Sequence, residues 1–265
     1  MKTTVTWIGC FCLTLLASCI VIGIKSDDEI TLSPEISEAT IAALLAFDGN
    51  VDDQSAYGIN GIPVGVRFRK GKQGMGLYLS GRTSSYVYYT DREHFHIPEP
   101  RVEAWIKMEG LAPSNTIVSE NTQGADDDAK GFILDIEEGR PRFVIGDDTR
   151  DWKAVIGSTD LRLNTWYHVV GMYRNSYLKV FVNGKLDSLI NVGPINISYV
   201  PKRRTGPSPS VLYVGIRHSA HESPPTYAED LMYPFHGIID EVRIYNRGLT
   251  DSEVRALYRY STGRN

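Results

Sequence analysis

Residues 235–247 read Phe-His-Gly-Ile-Ile-Asp-Glu-Val-Arg-Ile-Tyr-Asn-Arg, and residues 249–258 continue as Leu-Thr-Asp-Ser-Glu-Val-Arg-Ala-Leu-Tyr. The first run is rich in β-branched and aromatic residues, so it predicts a strand over Ile238 to Tyr245. The second run opens with the capping box Thr250–Glu253, and its apolar residues follow at helical spacing. The chain is therefore predicted to end in a strand and a short helix.

Short segments of similar composition recur along the chain between clusters of Gly, Asn, Asp and Pro, as is typical of an all-β protein. In Arg101–Met108 an apolar residue occupies every second position, so one face of this strand is predicted to be buried. Tyr167–Tyr173 and Leu178–Val182 flank a short turn and predict a hairpin. Further strands are predicted at Gly76–Leu79, Tyr86–Tyr89, Gly131–Ile136, Arg142–Ile145 and Val211–Gly215.

The composition limits the classes of function. Of the 265 residues, 42% are hydrophobic and 23% are charged, which suits one folded domain with an apolar core. The net charge of −4 offers no basic field for a phosphate backbone, so we predict no nucleic acid partner. All three cysteines, Cys10, Cys12 and Cys19, lie near the N-terminus. The rest of the chain therefore has no disulfide, thiolate zinc site or cysteine nucleophile.

Residues 1–25 are predicted to be an export leader, either a signal peptide or a membrane anchor. A lysine precedes the uncharged apolar stretch Val5–Ile24, which is long enough to span a bilayer. The run Leu16-Ala17-Ser18-Cys19 is similar to a bacterial lipobox, in which Cys19 becomes the lipidated first residue. A lipoprotein, an uncleaved anchor and ordinary secretion all stay open, and each places the body outside the cytoplasm. Residues 26–38 are acidic and polar and are predicted to be a tether.

Four stretches of the body resemble, in the same order, the laminin-G-like jelly roll of the concanavalin A-like lectin and glucanase superfamily. They are Leu44–Asn50, Arg101–Met108, Asn164–Gly184 and Phe235–Arg247. The resemblance covers residues 39–260 and implies an all-β jelly-roll sandwich of two antiparallel sheets with a short C-terminal helix. It also implies a recognition module that binds glycans or protein surfaces, and the leader predicts that this module is extracytoplasmic.

Members of this family commonly carry a calcium ion, and Asp48 and Asp240 match the family's acidic positions. Pairing of the first and last strands of the body would bring these two residues together. Asn50 and Asp53 lie close to Asp48 in the sequence, and calcium binds several hard oxygen ligands. The resemblance thus implies a structural calcium site at Asp48, Asn50, Asp53 and Asp240. The alternative is that residues 48–50 form a polar turn and that Asp240 accepts structural hydrogen bonds.

An enzyme is the main alternative, because glucanases of the same superfamily carry acidic residues at alternate positions of one strand. Alternation places two carboxylates on one face, as retaining glycosidases require. In Ile133–Glu138, Asp135 and Glu137 share a face, but Ile133 occupies the position of the first catalytic carboxylate. We therefore predict no enzymatic activity. A glycoside hydrolase of the same fold and a scaffold domain of a cell-surface complex are the alternatives.

One tryptophan is predicted to bind the ligand. Trp152 follows the polar, loop-like segment Asp147–Asp151, and an exposed Trp among charged residues can stack on a sugar or anchor a protein partner. Trp152, Arg150 and Asp151 are therefore the predicted ligand-binding residues. Trp105 and Trp166 match structural positions of the family and are expected to pack within or beside the core.

Overall fold

The computed structural model describes residues 23–25, 29–31, 40–90, 93–120, 131–147, 152–197, 199, 212–218 and 231–263. Within these ranges the chain forms short strands, one 3-10 turn at Glu93–Phe95 and the helix α1 at Asp251–Thr262. The strands are β1 (Gly23–Lys25), β2 (Glu29–Thr31), β3 (Ile41–Leu45), β4 (Ile62–Val64), β5 (Arg67–Lys70), β6 (Met75–Ser80), β7 (Tyr86–Tyr89), β8 (Arg101–Met108), β9 (Ser114–Glu120), β10 (Phe132–Glu137), β11 (Arg140–Gly146), β12 (Trp152–Ile156), β13 (Trp166–Arg174), β14 (Tyr177–Val182), β15 (Lys185–Asn191), β16 (Leu212–Val214), β17 (Arg217–His218), β18 (Leu231–Met232) and β19 (His236–Tyr245).

Most of the strands belong to two antiparallel sheets. The seven-stranded sheet has the order β12-β11-β10-β9-β16-β7-β4. The eight-stranded sheet has the order β15-β14-β13-β8-β19-β6-β5, and β3 also pairs with β19. The predicted fold class is confirmed: the protein is an all-β sandwich of two antiparallel sheets with one C-terminal helix. The separate hairpin β1–β2 falls in the segments predicted as leader and tether.

The apolar core lies between the inner faces of the two sheets. Phe132 and Phe143 contribute from the seven-stranded sheet, and Val102, Val169 and Ile239 contribute from the eight-stranded sheet. All five side chains are fully buried. Along each strand the core positions alternate with residues that face outward, because successive side chains point to opposite faces. The outward-facing residues of each sheet are therefore not part of this core.

β19 is hydrogen-bonded to neighbouring strands along both of its sides. One side pairs with β8, and the other side pairs first with β6 and then with β3. Val242 lies opposite Leu45, so the predicted pairing of the first and last strands of the body is confirmed. The ladder with β8 is irregular between Asp240 and Arg243, and within this bulge Glu241 has a φ of 49°.

The helix α1 packs on the outer face of the eight-stranded sheet. Its predicted capping box is present: the Thr250 hydroxyl accepts a hydrogen bond from the Glu253 N–H at 3.2 Å, and the Glu253 carboxylate accepts one from the Thr250 N–H at 2.6 Å. Val254 packs against apolar residues of β13 and β14. The Trp105 ring stacks on Tyr258 with centroids 5.8 Å apart and is buried, as expected for a packing residue.

Some strands run through segments that the sequence pattern did not predict. β9 is rich in polar residues, yet every residue in it is buried. The Ser119 hydroxyl donates a hydrogen bond to the Ile216 carbonyl at 3.0 Å, which satisfies a polar group that would otherwise be costly to bury. Trp152, which the sequence places beside a loop, begins the edge strand β12.

The N-terminal predictions fall largely outside the described residues. Cys19, the apolar stretch around it and most of the predicted tether are not among them. In the part of the chain that is described, no α-helix combines the length and apolar character that a membrane span needs. The leader, the lipidation of Cys19 and the domain boundaries stay predictions.

A network of buried charges lies on the outer face of the eight-stranded sheet. The Glu103 carboxylate lies 2.6 Å from Arg101 and 3.4 Å from Arg243, and it accepts a hydrogen bond from the Tyr245 hydroxyl at 3.0 Å. Burial alone raises the pKa of Glu103, but Arg101, His168 and Arg243 outweigh burial and hold this pKa far below its usual range. The resulting stabilisation is complete above the ordinary carboxylate pKa and is lost only as the pH falls towards the lowered value.

Glu103→Gln is expected to lower the free energy of unfolding by about 3–5 kcal/mol, because Arg101 and Arg243 lose their shared buried counter-charge. Glu109→Gln is the matched control, since Glu109 pairs with the exposed Arg69 at 3.2 Å and its loss costs at most about 1 kcal/mol. Denaturant unfolding of the full chain, followed by tryptophan fluorescence, measures both changes. Equal effects of the two substitutions would contradict this role of the network.

Candidate ligand-binding cleft

The outer face of the seven-stranded sheet carries an open cleft with a volume of about 480 Å³. Strands β9 to β12 form its floor, and the chain around β17 and β18 forms one wall. The helix α1 packs on the other sheet and does not approach this face. The lining combines apolar, aromatic and charged side chains: Pro113, Ser114, Ile133, Glu137, Arg142, Val144, Trp152, Ala154, Arg217 and Tyr233.

The strand register sets the shape of the floor. Ile133 lies opposite Val144, which in turn lies opposite an alanine of β12, so an apolar row crosses three strands. Trp152 stands at one end, opposite Gly146, which has no side chain to fill the space beside the indole. Arg142 stands four residues from Gly146 along β11, which at the rise of a β-strand is about 13 Å. The floor is therefore longer than a single sugar ring.

The charged end of the cleft is built around Arg142. Its Nε and Nη2 donate to the two carboxylate oxygens of Asp135 at 2.9 and 2.6 Å, and Nη2 also lies 3.1 Å from Oε2 of Glu137. Burial opposes the charge of Arg142, but the hydrogen bond and the charge of Asp135 outweigh burial and raise the pKa of the guanidinium. Asp135 is fully buried, so Glu137 is the carboxylate that a ligand can reach.

The opposite wall of the cleft is a stacked pair, Arg217 on Tyr233. The guanidinium carbon of Arg217 lies 4.1 Å from the centroid of the Tyr233 ring. The Tyr233 carbonyl accepts a hydrogen bond from the Thr116 N–H at 2.9 Å, which fixes this wall to β9. Tyr233 has a φ of 57°, a left-handed conformation that aromatic residues rarely adopt and that is concentrated at functional sites.

A cluster of tyrosines supports this wall from the same face of the sheet. The rings of Tyr86, Tyr88 and Tyr213 have centroids 6.1–6.2 Å apart. Tyr86 and Tyr213 are buried and pack against Ile216, which precedes β17, and Leu231, which begins β18. The cluster therefore serves mainly to anchor the hairpin on the sheet.

The structure brings one of the predicted ligand-binding residues into the cleft. Trp152 is half-buried and forms one end of the lining. Arg150 and Asp151 lie outside the described residues, so their contribution stays a prediction. Sequence reasoning missed Arg217 and Tyr233, because they lie on a short hairpin that carries no strong strand pattern. Arg142 could have been found from the sequence, because β10 and β11 form one β-hairpin in which Arg142 lies opposite Asp135.

Two of the acidic residues predicted to bind calcium hold the turn between β5 and β6. Asp240 Oδ2 accepts hydrogen bonds from the Lys72 N–H at 2.7 Å and from the Gln73 N–H at 3.0 Å. Asp48 Oδ1 accepts one from the Met75 N–H at 2.7 Å. The prediction that Asp48 and Asp240 come together is therefore correct, and in the structure they meet on the backbone of one turn.

The other two predicted calcium ligands follow Asp48 in the segment between β3 and β4 and accept hydrogen bonds from backbone groups near their own segment. Asp53 accepts hydrogen bonds from the N–H groups of Leu44 and Ser55, both at 2.8 Å, and Asn50 accepts one from the Asp52 N–H at 3.0 Å. Among the described residues, no group of three or more His, Cys, Asp or Glu side chains is placed to hold a metal ion. These side chains do not fit a calcium cage, and the calcium site stays a prediction of the resemblance.

The pKa of Asp240 is raised because its carboxyl is buried. Burial raises the pKa of its carboxyl to about 7, with the charge of Glu241 adding to the effect and the backbone N–H bonds opposing it. The folded chain holds this proton more tightly than the unfolded chain does. The stability that the proton provides is complete below the ordinary Asp pKa and is lost as the pH rises towards 7. A cation would compete with the same proton, so calcium is best tested above pH 7.

Comparison with known proteins identifies one family. The model of the Laminin_G_3 family, described as concanavalin A-like lectin/glucanases superfamily, matches residues 80–255. No curated protein matches the chain by sequence.

Solved structures share the fold at low sequence identity. The binding domain of Paraclostridial mosquitocidal protein 1 superposes with a TM-score of 0.61 at 15% identity, covering 84% of this chain and 52% of that one. The receptor-binding domain of botulinum neurotoxin type G has a TM-score of 0.58 at 16% identity, covering 83% and 51%. Domain 4 of AbnA, a GH43 extracellular arabinanase from Geobacillus stearothermophilus in complex with arabinotriose, has a TM-score of 0.59 at 21% identity, covering 83% and 98%. The chain thus spans about half the length of the toxin domains.

Above pH 7, we expect the melting temperature of the full chain to be unchanged by a chelator or by millimolar calcium, because oxygens of Asp48 and Asp240 already accept N–H bonds. Asp240→Asn is expected to lower the melting temperature equally with and without calcium, since an amide cannot accept hydrogen bonds at both positions. Differential scanning fluorimetry measures both. A rise in melting temperature with calcium that Asp240→Asn removes would support the calcium site instead.

Proposed function

Because the chain belongs to the Laminin_G_3 family of the concanavalin A-like lectin/glucanases superfamily, we propose that it is a non-catalytic recognition module that binds a glycan in the cleft of its seven-stranded sheet. The proposal is carried by the presence of two aromatic side chains, Trp152 and Tyr233, with charged groups around an apolar floor. A sugar ring offers an apolar face to an aromatic ring and hydroxyls to polar groups, so its chemistry matches this lining.

The carboxylates of the cleft favour binding over hydrolysis. A retaining glycosidase needs two carboxyl groups about 5–5.5 Å apart, one to attack the sugar and one to donate a proton. Here both oxygens of Asp135 are bound by Arg142, and the outward position two residues earlier is Ile133. Of the described residues that line the cleft, Glu137 is the carboxylate that a ligand can reach, and a single carboxylate can accept hydrogen bonds from sugar hydroxyls without cleaving the glycosidic bond.

The proteins that share the fold are consistent with a binding role. Two of them are toxin binding domains, and the arabinanase domain was solved with arabinotriose. Arabinotriose is a ligand of the arabinanase domain and not of this chain, and proteins with one fold can have many functions. The proposal for this chain therefore depends on its own cleft. A protein surface is the alternative ligand, because an accessible Trp also anchors protein partners.

We place this module outside the cytoplasm, either held at a membrane or secreted. The support is the apolar stretch Val5–Ile24, which is followed by an abruptly polar segment. Lipidation of Cys19 would anchor the protein through its N-terminus, and an uncleaved leader would do the same. Mass spectrometry of the mature N-terminus distinguishes these forms from a cleaved, secreted one.

Trp152→Ala is expected to weaken glycan binding by at least about tenfold, because the indole supplies the largest stacking surface of the cleft. Trp166→Ala is the matched control, since Trp166 is also half-buried but lies on the eight-stranded sheet. A glycan array identifies ligands of the full chain, and titration calorimetry measures both variants. Equal loss in both variants, or no glycan signal at all, would count against a glycan site and favour a protein partner.

No hydrolysis is expected from this cleft. A reducing-sugar assay on the glycans that bind should give the same background for the unmodified chain, for Asp135→Asn and for Glu137→Gln. Glu137→Gln is the cleaner variant, because Asp135→Asn removes a buried partner of Arg142 and lowers stability. Turnover by the unmodified chain that Glu137→Gln abolishes would show that the protein is a hydrolase.

A further inference from the structure

We infer that the glycan bound in the cleft is anionic and that Arg217 binds its carboxylate or sulfate group. This inference rests on the proposed function and adds the chemical class of the ligand. It follows from the charges that line the cleft: Arg142 lies beside two carboxylates of the protein, whereas Arg217 forms no ion pair among the described residues.

Arg217 supplies the charge that the cleft leaves unmatched. Among the described residues, Arg217 stacks on the Tyr233 ring but forms no ion pair with a carboxylate. Arg142, on the floor of the cleft, is held between Asp135 and Glu137. An anion from the ligand is therefore the natural partner for Arg217 and not for Arg142.

A second arginine shows that stacking on tyrosine does not by itself leave a charge unmatched. The guanidinium carbon of Arg69 lies 3.3 Å from the centroid of the Tyr78 ring, on the eight-stranded sheet. Arg69 also pairs with Glu109 at 3.2 Å. The stack is the same kind of contact in both places, but within the described part of the chain only Arg69 of these two arginines also pairs with a carboxylate.

The stack also prepares Arg217 for an anion that presents two neighbouring oxygens. The tyrosine ring covers one face of the guanidinium and leaves the N–H groups around its edge directed outward. Two of these N–H groups match the two oxygens of a carboxylate or sulfate. Tyr233 is held to β9 through its carbonyl, so the guanidinium is positioned before the ligand arrives. Arg217 is half-buried, which strengthens its attraction for an anion relative to a fully exposed charge.

The Glu137 carboxylate sets the orientation of the ligand in the cleft. Oε2 of Glu137 faces Arg142, and among the described residues no hydrogen bond is donated to the other carboxylate oxygen. This oxygen can accept a hydrogen bond from a sugar hydroxyl, but it repels an anion. The acidic group is therefore directed to Arg217, a hydroxyl to Glu137, and a ring to Trp152. An acidic oligosaccharide satisfies all three, whereas a neutral one leaves Arg217 unpaired.

The test is titration calorimetry of the full chain with three probes: oligogalacturonate for the carboxylate, a sulfated dextran oligosaccharide for the sulfate, and an uncharged dextran oligosaccharide. We expect one of the anionic probes to bind more tightly than the uncharged one and more weakly as salt is added. Arg217→Gln should weaken that binding by about tenfold to a hundredfold, and Arg217→Lys should weaken it less, because it keeps the charge but loses the two-point contact.

Arg69→Gln is the matched control and should leave the affinity unchanged, since it removes an arginine stacked on tyrosine from the other sheet. Binding of the uncharged probe that depends on Trp152 but not on Arg217 would overturn the inference and leave the proposed function standing. Binding of an anionic probe that Arg69→Gln weakens as much as Arg217→Gln does would overturn it as well, because the attraction would then be a general effect of surface charge. Binding of an anionic probe that Arg217→Gln weakens and Arg69→Gln does not would support the inference.

Discussion

The pairing of β19 along both of its sides is the constraint on which the rest of the structure depends. β8 lies on one side of it, and β6 and then β3 lie on the other, so one strand joins the start, the middle and the end of the body. Its bulge turns Asp240 to the turn between β5 and β6, where the carboxylate accepts backbone N–H bonds. An acidic residue that resembles a metal ligand in the sequence thus acts as a hydrogen-bond acceptor that fixes a turn.

The two outer faces of the sandwich differ in how far the rest of the chain covers them. On the eight-stranded sheet, α1 and the buried network around Glu103 close the surface, and the charges there are paired within the protein. On the seven-stranded sheet, the chain around β17 and β18 covers only part of the face and leaves the cleft beside it open. Paired charges stabilise the first face, and the second carries Arg217, which forms no ion pair with any residue that the structure describes.

The sequence predicted the features that depend on local pattern. Arg101–Met108 and Ile238–Tyr245 were recognised because alternation and β-branched residues identify a strand without knowledge of its neighbours. β9 was missed because it is rich in polar residues, and the partner of the buried Ser119 hydroxyl, the Ile216 carbonyl, lies 97 residues further along the chain. Trp152 was predicted from its residue type and polar flank and lies in the cleft, whereas Arg217 and Tyr233 were not predicted, because only the packing of a distant part of the chain beside β9 brings them to the cleft. The sequence predicted that Asp48 and Asp240 come together but not that both accept hydrogen bonds from one turn, and the calcium site stays a prediction.

A crystal structure of the chain with a bound acidic oligosaccharide tests the central claim most directly, because it shows which face of the sandwich carries the ligand. We expect a sugar ring parallel to the Trp152 indole and an anionic oxygen within hydrogen-bond distance of the Arg217 guanidinium. A saccharide seated on the eight-stranded sheet, or on the turn held by Asp48 and Asp240, would contradict it.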